Sequence, residues 1–195
     1  MSRIIHSRLA LFTLFYLVAF LAVSLVQRNT EFFFYTIVLI VMLFVVVVVS
    51  PRVRLEKWIM VFVSLFLLLH LSSGQIYIGT TRLYDMYLIS DFRVDNLVHL
   101  LGGFLSTFLA YNLLEPFIQY RVRNNPLTFS LIVVLLALGM GSINEILEFI
   151  GVIFFDAADG VGGYVNNAKD QVFNLFGTIL AAVVIYVDRR FDADG

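Results

Sequence analysis

The chain has 195 residues, of which 61% are hydrophobic and 14% are charged, and its mean hydropathy is +0.93. Soluble domains are about 45–50% apolar, so a soluble fold would leave too much apolar surface in contact with water. The formal net charge of -1 gives no basic surface for nucleic acid, and the lack of cysteine excludes disulfides, thiolate metal sites and cysteine nucleophiles. The composition therefore predicts an integral membrane protein.

Six apolar segments are long enough to be considered as membrane spans, since a helix needs about 20 apolar residues to cross the hydrocarbon core. In chain order they are residues 9–26, 32–49, 58–72, 97–114, 127–155 and 171–187. The third is short and runs into His70, Ser72 and Ser73, so its end is not defined by hydropathy alone. These segments predict an all-α bundle of about six transmembrane helices, which forms a single domain over residues 1–195.

The distribution of basic residues predicts the orientation, because cytoplasmic loops carry an excess of Lys and Arg. With the N-terminus inside, nine basic residues lie in inner segments and four lie in outer segments. The inner set is Arg3, Arg8, Arg52, Arg54, Lys57, Arg121, Arg123, Arg189 and Arg190, and the outer set is Arg28, Arg82, Arg93 and Lys169. We therefore expect a multi-pass protein of the cell membrane with both termini in the cytoplasm.

A polar stretch, residues 75–94, connects the third and fourth apolar segments. It contains Tyr77, Tyr84 and Tyr87 among Arg82, Asp85, Asp91 and Arg93. Tyrosine is enriched at membrane–water interfaces, so we expect a loop or a short interfacial helix here. With the orientation above, it would cover the outer end of the bundle.

Polar residues interrupt the outer halves of four predicted helices. The four groups are Asp95, Asn96 and His99 in the fourth helix, Asn144, Glu145 and Glu148 in the fifth, Asp170, Gln171 and Asn174 in the sixth, and His70 in the third. Ionisable residues within membrane spans are costly and mark candidate functional sites. Because residues three or four apart share a helix face, each helix presents one polar stripe. We expect the stripes to face one another in a pocket with three or four carboxylates and one or two imidazoles.

Carboxylates this close cannot all ionise unaided, so some must be protonated, paired or neutralised by a cation. The candidate metal ligands are Asp95, His99, Glu145, Glu148 and Asp170, and the candidate supporting residues are His70, Asn144 and Asn174. Oxygen-rich ligand sets favour a divalent cation such as Mg, Mn or Ca over Zn. A zinc or iron site with two carboxylates and one histidine stays open.

Most of these residues also have a purely structural explanation. Asp95 and Asp170 could cap the helices that they open. Asn144 and Asn174 could form interhelical hydrogen bonds, and His70 could pack near the interface. Glu145 and Glu148 fit such explanations least well, because a carboxylate pair late in a long apolar helix needs a partner.

Three sequence blocks resemble the successive signatures of the VanZ-like and YjdF-like integral membrane families. They are DNLVHLLGG at 95–103, NEILEFIG at 144–151 and YVNNAKDQVFNLFG at 164–177, so the resemblance covers about residues 80–187. The matching positions, in family order, are Asp95, His99, Glu145 or Glu148, Asp170, Asn174 and Gly177. The sequence departs from the VanZ-like pattern, which usually has an Arg before its Asp, because Lys169 is the only base near Asp170. The paired Glu and the glycine-rich turn that leads to Asp170 fit the YjdF-like pattern better. VanZ-like members are linked to glycopeptide resistance, whereas the YjdF-like group has no settled biochemistry, so the resemblance implies a shared site rather than a reaction.

Two classes of function remain open. In the first, an outward-facing pocket binds a polar lipid headgroup or a lipid-linked envelope substrate through a cation, and membrane lipids are the expected partners. Catalysis by Glu145, Glu148 and Asp170 would make the protein a metal-assisted hydrolase or transferase. In the second, a non-enzymatic binding or transport component uses the same acids for protons or cations. The sequence shows polarity in the outer halves of helices four to six and almost none in their inner halves, which favours an outward pocket over a path through the membrane.

Overall fold

The computed structural model describes residues 2–49, 55–155 and 162–194. These residues contain seven α-helices, named α1 Ser2–Gln27, α2 Thr30–Val49, α3 Lys57–Gln75, α4 Val94–Leu114, α5 Tyr120–Arg123, α6 Pro126–Phe155 and α7 Tyr164–Asp194. Within them, α1, α3, α4, α6 and α7 are long and apolar enough to cross a membrane, and α2 contributes a shorter apolar segment, Thr30–Val45. The all-α membrane bundle is therefore confirmed. Arg52 and Arg54, which contribute to the predicted orientation, lie outside the described residues.

Several helices extend beyond the apolar segments that predict them. α3 continues to Gln75, α4 begins at Val94, and α7 begins at Tyr164 instead of residue 171. Hydropathy misses these turns because their polar side chains are buried against other helices rather than dissolved in water. Asn96 and Asp170 in these turns are 1% and 0% exposed.

The connection between α3 and α4 contains strands that the predicted loop or short interfacial helix did not include. It forms two antiparallel hairpins, β1 Tyr77–Ile78 with β2 Thr81–Arg82 and β3 Tyr87–Ile89 with β4 Phe92–Arg93. A 3-10 turn, Leu83–Asp85, joins them. Gly79, in the first hairpin turn, has a φ of 65°, a conformation that glycine adopts without steric cost.

Two glycines bring α4 and α7 into backbone contact. A Cβ atom at Gly103 would lie 2.2 Å from the carbonyl oxygen of Asn174, and one at Gly177 would lie 1.9 Å from that of Leu100. Small residues allow such close approach between membrane helices. The contact places the start of α4 beside the start of α7, and α6 packs against both helices.

The other half of the bundle packs around Phe32 of α2. Its ring is 1% exposed and occupies the space beside Gly74 of α3, where a Cβ atom would lie 1.6 Å from the ring. Hydrogen bonds join α1 to α3, including one of 2.7 Å from the Tyr16 hydroxyl to the carbonyl oxygen of Ser64. This half forms the wall facing the polar ends of α4, α6 and α7.

Candidate functional site

The start of α4 leaves Asp95 available for tertiary contacts. The backbone N–H of Arg93 donates to Oδ1 of Asn96 at 3.0 Å, so Asn96 provides the capping interaction. Oδ1 of Asp95 lies instead 3.5 Å from Nε2 of His99, one turn further along the helix. Asp95 therefore does not cap this helix, contrary to the structural explanation considered for it.

One face of α7 carries Asn166, Asp170 and Asn174 at intervals of four residues. Nδ2 of Asn166 lies 2.8 Å from Oδ2 of Asp170 and 3.4 Å from Oδ2 of Asp95, and its Oδ1 accepts a hydrogen bond from Arg93. Because α7 begins at Tyr164, Asp170 lies in the second turn and does not cap the helix, contrary to that expectation.

α6 contributes a pair of glutamates with few partners. Nδ2 of Asn144 donates to Oε1 of Glu148 at 2.7 Å, within the same helix. The predicted interhelical bond of Asn144 is therefore replaced by a contact along α6. Both carboxylate oxygens of Glu145 are buried without a hydrogen-bond partner.

His99 lies between the acids of α4, α7 and α6. Its Nε2 faces Asp95 and lies 3.7 Å from Oδ1 of Asp170, whereas its Nδ1 lies 3.8 Å from Oε1 of Glu145. Among the described residues, two sets of three candidate ligands have atoms within 4.8 Å of one another: Asp95, His99 and Asp170, and His99, Glu145 and Glu148. We call these five residues the acid–His cluster. The structure thus brings together every predicted metal ligand, and their roles stay predictions.

Arginines from the two hairpins cover the cluster. Arg82 lies 3.4 Å from Glu31 of α2 and 3.1 Å from Asp85, and Arg93 lies 3.5 Å from Asp95 and 3.7 Å from Asp85. Burial disfavours the charged form of Arg82, but the neighbouring carboxylates outweigh this and raise its pKa. The hairpins therefore supply fixed positive charges to this end of the bundle.

His70, a predicted supporting residue, lies beside the cluster but belongs to neither three-ligand set in the described part of the chain. Its Nδ1 is hydrogen-bonded to the Tyr84 hydroxyl. Burial raises the pKa of Tyr84 well above its usual value, so the hydroxyl stays protonated at neutral pH. His70, His99 and Glu148 line a polar cavity of about 30 Å³, which has room for water.

Negative charge exceeds positive charge in the acid–His cluster. Arg93 faces Asp95, which leaves Glu145, Glu148 and Asp170 around the single imidazole of His99. If all three carboxylates were ionised, an imidazolium at His99 would still leave an excess of two negative charges. A divalent cation matches this excess, and oxygen ligands with one imidazole suit a hard or borderline metal ion.

Four residues at this site were not predicted to take part in it: Glu31, Arg82, Arg93 and Asn166. For Glu31 a signal was present, because the predicted topology places the start of α2 at the same membrane face as the cluster. The arginines were predicted to lie in the stretch that covers the outer end of the bundle, but nothing in their local spacing indicates partners in distant helices.

The apolar helices and their buried polar cluster define a helical membrane protein. Over residues 8–190 the sequence matches the family described as "Predicted membrane protein (DUF2238)", and the chain belongs to this family. No curated protein and no solved structure gives a significant match to the chain. The family description supports the membrane class, whereas the resemblance to the VanZ-like and YjdF-like families stays a prediction.

Proposed function

We propose that the acid–His cluster binds one divalent cation, and that this cation holds a negatively charged headgroup of a membrane lipid or lipid-linked substrate. The observation that carries the proposal is the convergence of four carboxylates and one imidazole from three helices, with ligand atoms within 4.8 Å in each set. A buried excess of negative charge is unfavourable without such a counterion. Once bound, the cation would retain open coordination positions for a phosphate or carboxylate oxygen.

The set formed by His99, Glu145 and Glu148 is the better cation position. Asp95 already has Arg93 and Asn166 as partners, and Oδ2 of Asp170 accepts from Asn166, which leaves Oδ1 of Asp170 without a hydrogen bond. Glu145 has no hydrogen-bond partner on either oxygen, so a cation would satisfy the least satisfied group of the cluster.

The two ring nitrogens of His99 face different acids of the cluster. With Nδ1 bound to the cation, the proton of neutral His99 resides on Nε2, which faces Asp95 and Asp170. Metal-binding histidines commonly donate their second N–H to a carboxylate, which fixes the ring and increases ligand basicity. Asp95 and Asp170 thus orient the ligand, while Glu145 and Glu148 contact the ion.

The setting of the cluster supports a lipid as the ligand. Away from the cluster, the apolar stretches 100–114 of α4, 126–143 of α6 and 175–187 of α7 contain no Asp, Glu, Lys, Arg or His, which supports a polar site that opens at one membrane face. A phosphoryl oxygen bound to the cation would lie beside carboxylates able to act as a general base. The same arrangement could therefore support a metal-assisted hydrolase or transferase.

The test is the melting temperature of the detergent-purified protein in EDTA and in Mg, Mn, Ca or Zn. A cation at 100 times its Kd stabilises the folded state by about 2.7 kcal/mol, which corresponds to a rise of several degrees. Glu145→Gln should abolish the rise and stabilise the cation-free protein, because it removes an unneutralised buried carboxylate.

Glu115→Gln is the matched control, since Glu115 lies at the opposite end of α4 beside Arg123 and should leave the cation response unchanged. The proposal is wrong if no cation shifts the melting temperature of the wild-type protein. Asp170→Asn should weaken cation binding by about 10–100-fold, less than Glu145→Gln does. If Asp170→Asn weakens cation binding more than Glu145→Gln does, the ion is bound instead by the set formed by Asp95, His99 and Asp170.

A further inference from the structure

An apolar cavity of about 240 Å³ lies next to the acid–His cluster, between α2, α3, α4, α6 and α7. His99, Asn144 and Glu148 line its polar end, whereas apolar side chains such as Leu39 and Phe66 form much of the remaining wall. A stably bound water needs two to four polar partners, and the largely apolar wall offers few of them. The cavity is therefore suited to hydrocarbon.

The cavity reaches the outer surface of the bundle between α2 and α6. Met42 of α2 and Ile143 of α6 both line it and are 51% and 58% exposed. Nearer the hairpins the two helices are in contact, since the Thr30 hydroxyl donates to the carbonyl oxygen of Phe155 at 2.7 Å and Phe34 stacks on Phe155. The opening is thus lateral, and the molecules that would surround it in a bilayer are lipid chains.

An acyl chain could enter this opening at little cost. It would move from one hydrocarbon environment to another, and its atoms would restore dispersion contacts that an unfilled space lacks. A chain in the cavity would point its polar end toward His99 and Glu148, where the proposed cation lies.

Asn174 provides an independent sign of a ligand in this cavity. Its side chain lines the cavity, the residue is 4% exposed, and its buried Nδ2 has no hydrogen-bond partner. A Cβ atom at Gly141 would lie 3.1 Å from this Nδ2, so glycine leaves room for the amide. A buried donor without an acceptor is costly, and an oxygen of a bound ligand would satisfy it.

We infer that the ligand of the cation site is a glycerophospholipid, with one acyl chain in the apolar cavity and an ester carbonyl that accepts a hydrogen bond from Asn174. The inference rests on the proposed function, because the cation binds the phosphate. Asn174 follows Asp170 by one helical turn, about 6 Å along the axis. The protein thus presents three sites in a row: the acid–His cluster for the phosphate, Asn174 for the ester carbonyl and the cavity for the acyl chain. The same groups occur in this order along the lipid.

The first experiment compares lipids on the delipidated full chain in detergent with Mn²⁺, using native mass spectrometry to count bound lipid. Dioleoyl phosphatidylglycerol should form a one-to-one complex. It should bind at least about tenfold more tightly than dihexanoyl phosphatidylglycerol, because longer chains bury more apolar surface. Glycerol 3-phosphate, which has no chain, should bind more weakly still.

The second experiment changes the protein. Ser106 lines the cavity, so Ser106→Phe should fill it and weaken dioleoyl phosphatidylglycerol binding by about tenfold or more. Leu135→Phe is the control, since Leu135 is 61% exposed on α6 and the same aromatic residue there should not affect binding. Asn174→Ala should weaken lipid binding without lowering the melting temperature, because the lost donor has no partner within the protein.

The inference is overturned if dihexanoyl and dioleoyl lipids bind equally, if no lipid complex forms, or if folded Ser106→Phe binds like wild type. If Ser106→Phe does not fold, the chain-length comparison on the wild-type protein decides. Calorimetric titration of the lipid-free protein with Mn²⁺ separates the two proposals. Mn²⁺ binding without a chain-length preference overturns only the lipid inference, whereas absence of Mn²⁺ binding overturns the proposed function.

Discussion

Asn166 connects a hairpin arginine to both aspartates of the acid–His cluster. Its Oδ1 accepts from Arg93, and its Nδ2 lies within hydrogen-bond distance of Asp95 and Asp170. One amide therefore joins the surface hairpin to α4 and α7. Hydrogen bonds to charged groups contribute more to stability than those between neutral groups, about 1.5–3 kcal/mol each.

Replacement of Asn166 by alanine should lower the free energy of unfolding by about 2–3 kcal/mol, because charged partners lose hydrogen bonds in a buried setting. The measurement is a denaturant titration in detergent micelles. Asn167→Ala is the control: Oδ1 of Asn167 is buried without a partner, so its removal should change stability by less than about 0.5 kcal/mol. Equal losses in the two variants would contradict the proposed role of Asn166.

At this scale the sequence predicts the acids and His99 but not the residues that complete their surroundings. Asp95 and His99, and Glu145 and Glu148, share helix faces through short spacings, which a sequence displays directly. The contact of Asn166 with Arg93 joins positions 73 apart in the chain, and no local pattern indicates it. Such contacts depend on the packing of α4 against α7.

The packing of α4 against α7 is the closest approach between the backbones of two elements that the glycines reveal. Gly103 and Gly177 let the backbones of α4 and α7 meet with no space for a methyl group. The two helices are consequently held in one register, with His99 beside Asp170. The carboxylates of α6 complete the site from outside this rigid pair.

Gly177→Ala should destabilise the protein by about 3 kcal/mol or prevent folding, because the added carbon would overlap the backbone of α4. The check is the melting temperature and the amount of monodisperse protein after purification. Gly139→Ala is matched to it, since nothing lies within 4 Å of a Cβ at Gly139, and it should be neutral or slightly stabilising. If Gly177→Ala melts like wild type, the tight helix contact is wrong.

The elements themselves were largely predictable, since hydropathy indicates every long helix. Their ends were not, because Asp170 and Asn166 extend α7 through polar turns that tertiary contacts bury. The two hairpins were missed for a similar reason. Strands of two or three residues are too short to show a periodic pattern. Gly79, in the turn of the first hairpin, was the clearest local sign of a turn.

For the whole molecule, the predicted orientation decides which leaflet supplies the lipid. The hairpins and the acid–His cluster share one end of the bundle, and α5 with its arginines lies in the connection at the other end, between α4 and α6. The excess of Lys and Arg in the predicted inner segments predicts that the cluster lies at the outer face.

Reporter fusions should confirm this arrangement in cells. Green fluorescent protein fused at either terminus should fluoresce, and alkaline phosphatase inserted after Gly79 or Ser90 should be active, because the phosphatase folds only outside the cytoplasm. An insertion between Gln119 and Asn125 should leave the phosphatase inactive and serves as the internal control. The opposite pattern would place the cluster at the cytoplasmic face and direct the search for a ligand to the inner leaflet.

The distribution of the acid–His cluster over α4, α6 and α7 also has a consequence for biogenesis. Ribosomes deliver helices in chain order, so Asp95 and His99 reach the membrane before Glu145 and Asp170 have been synthesised. Until α7 arrives, these polar groups face lipid or the insertion machinery, where unpaired charges are unfavourable. A chain interrupted before α7 would therefore leave Asp95, His99 and the glutamates of α6 without the partners that α7 supplies, so the order of synthesis makes α7 the element that completes the site.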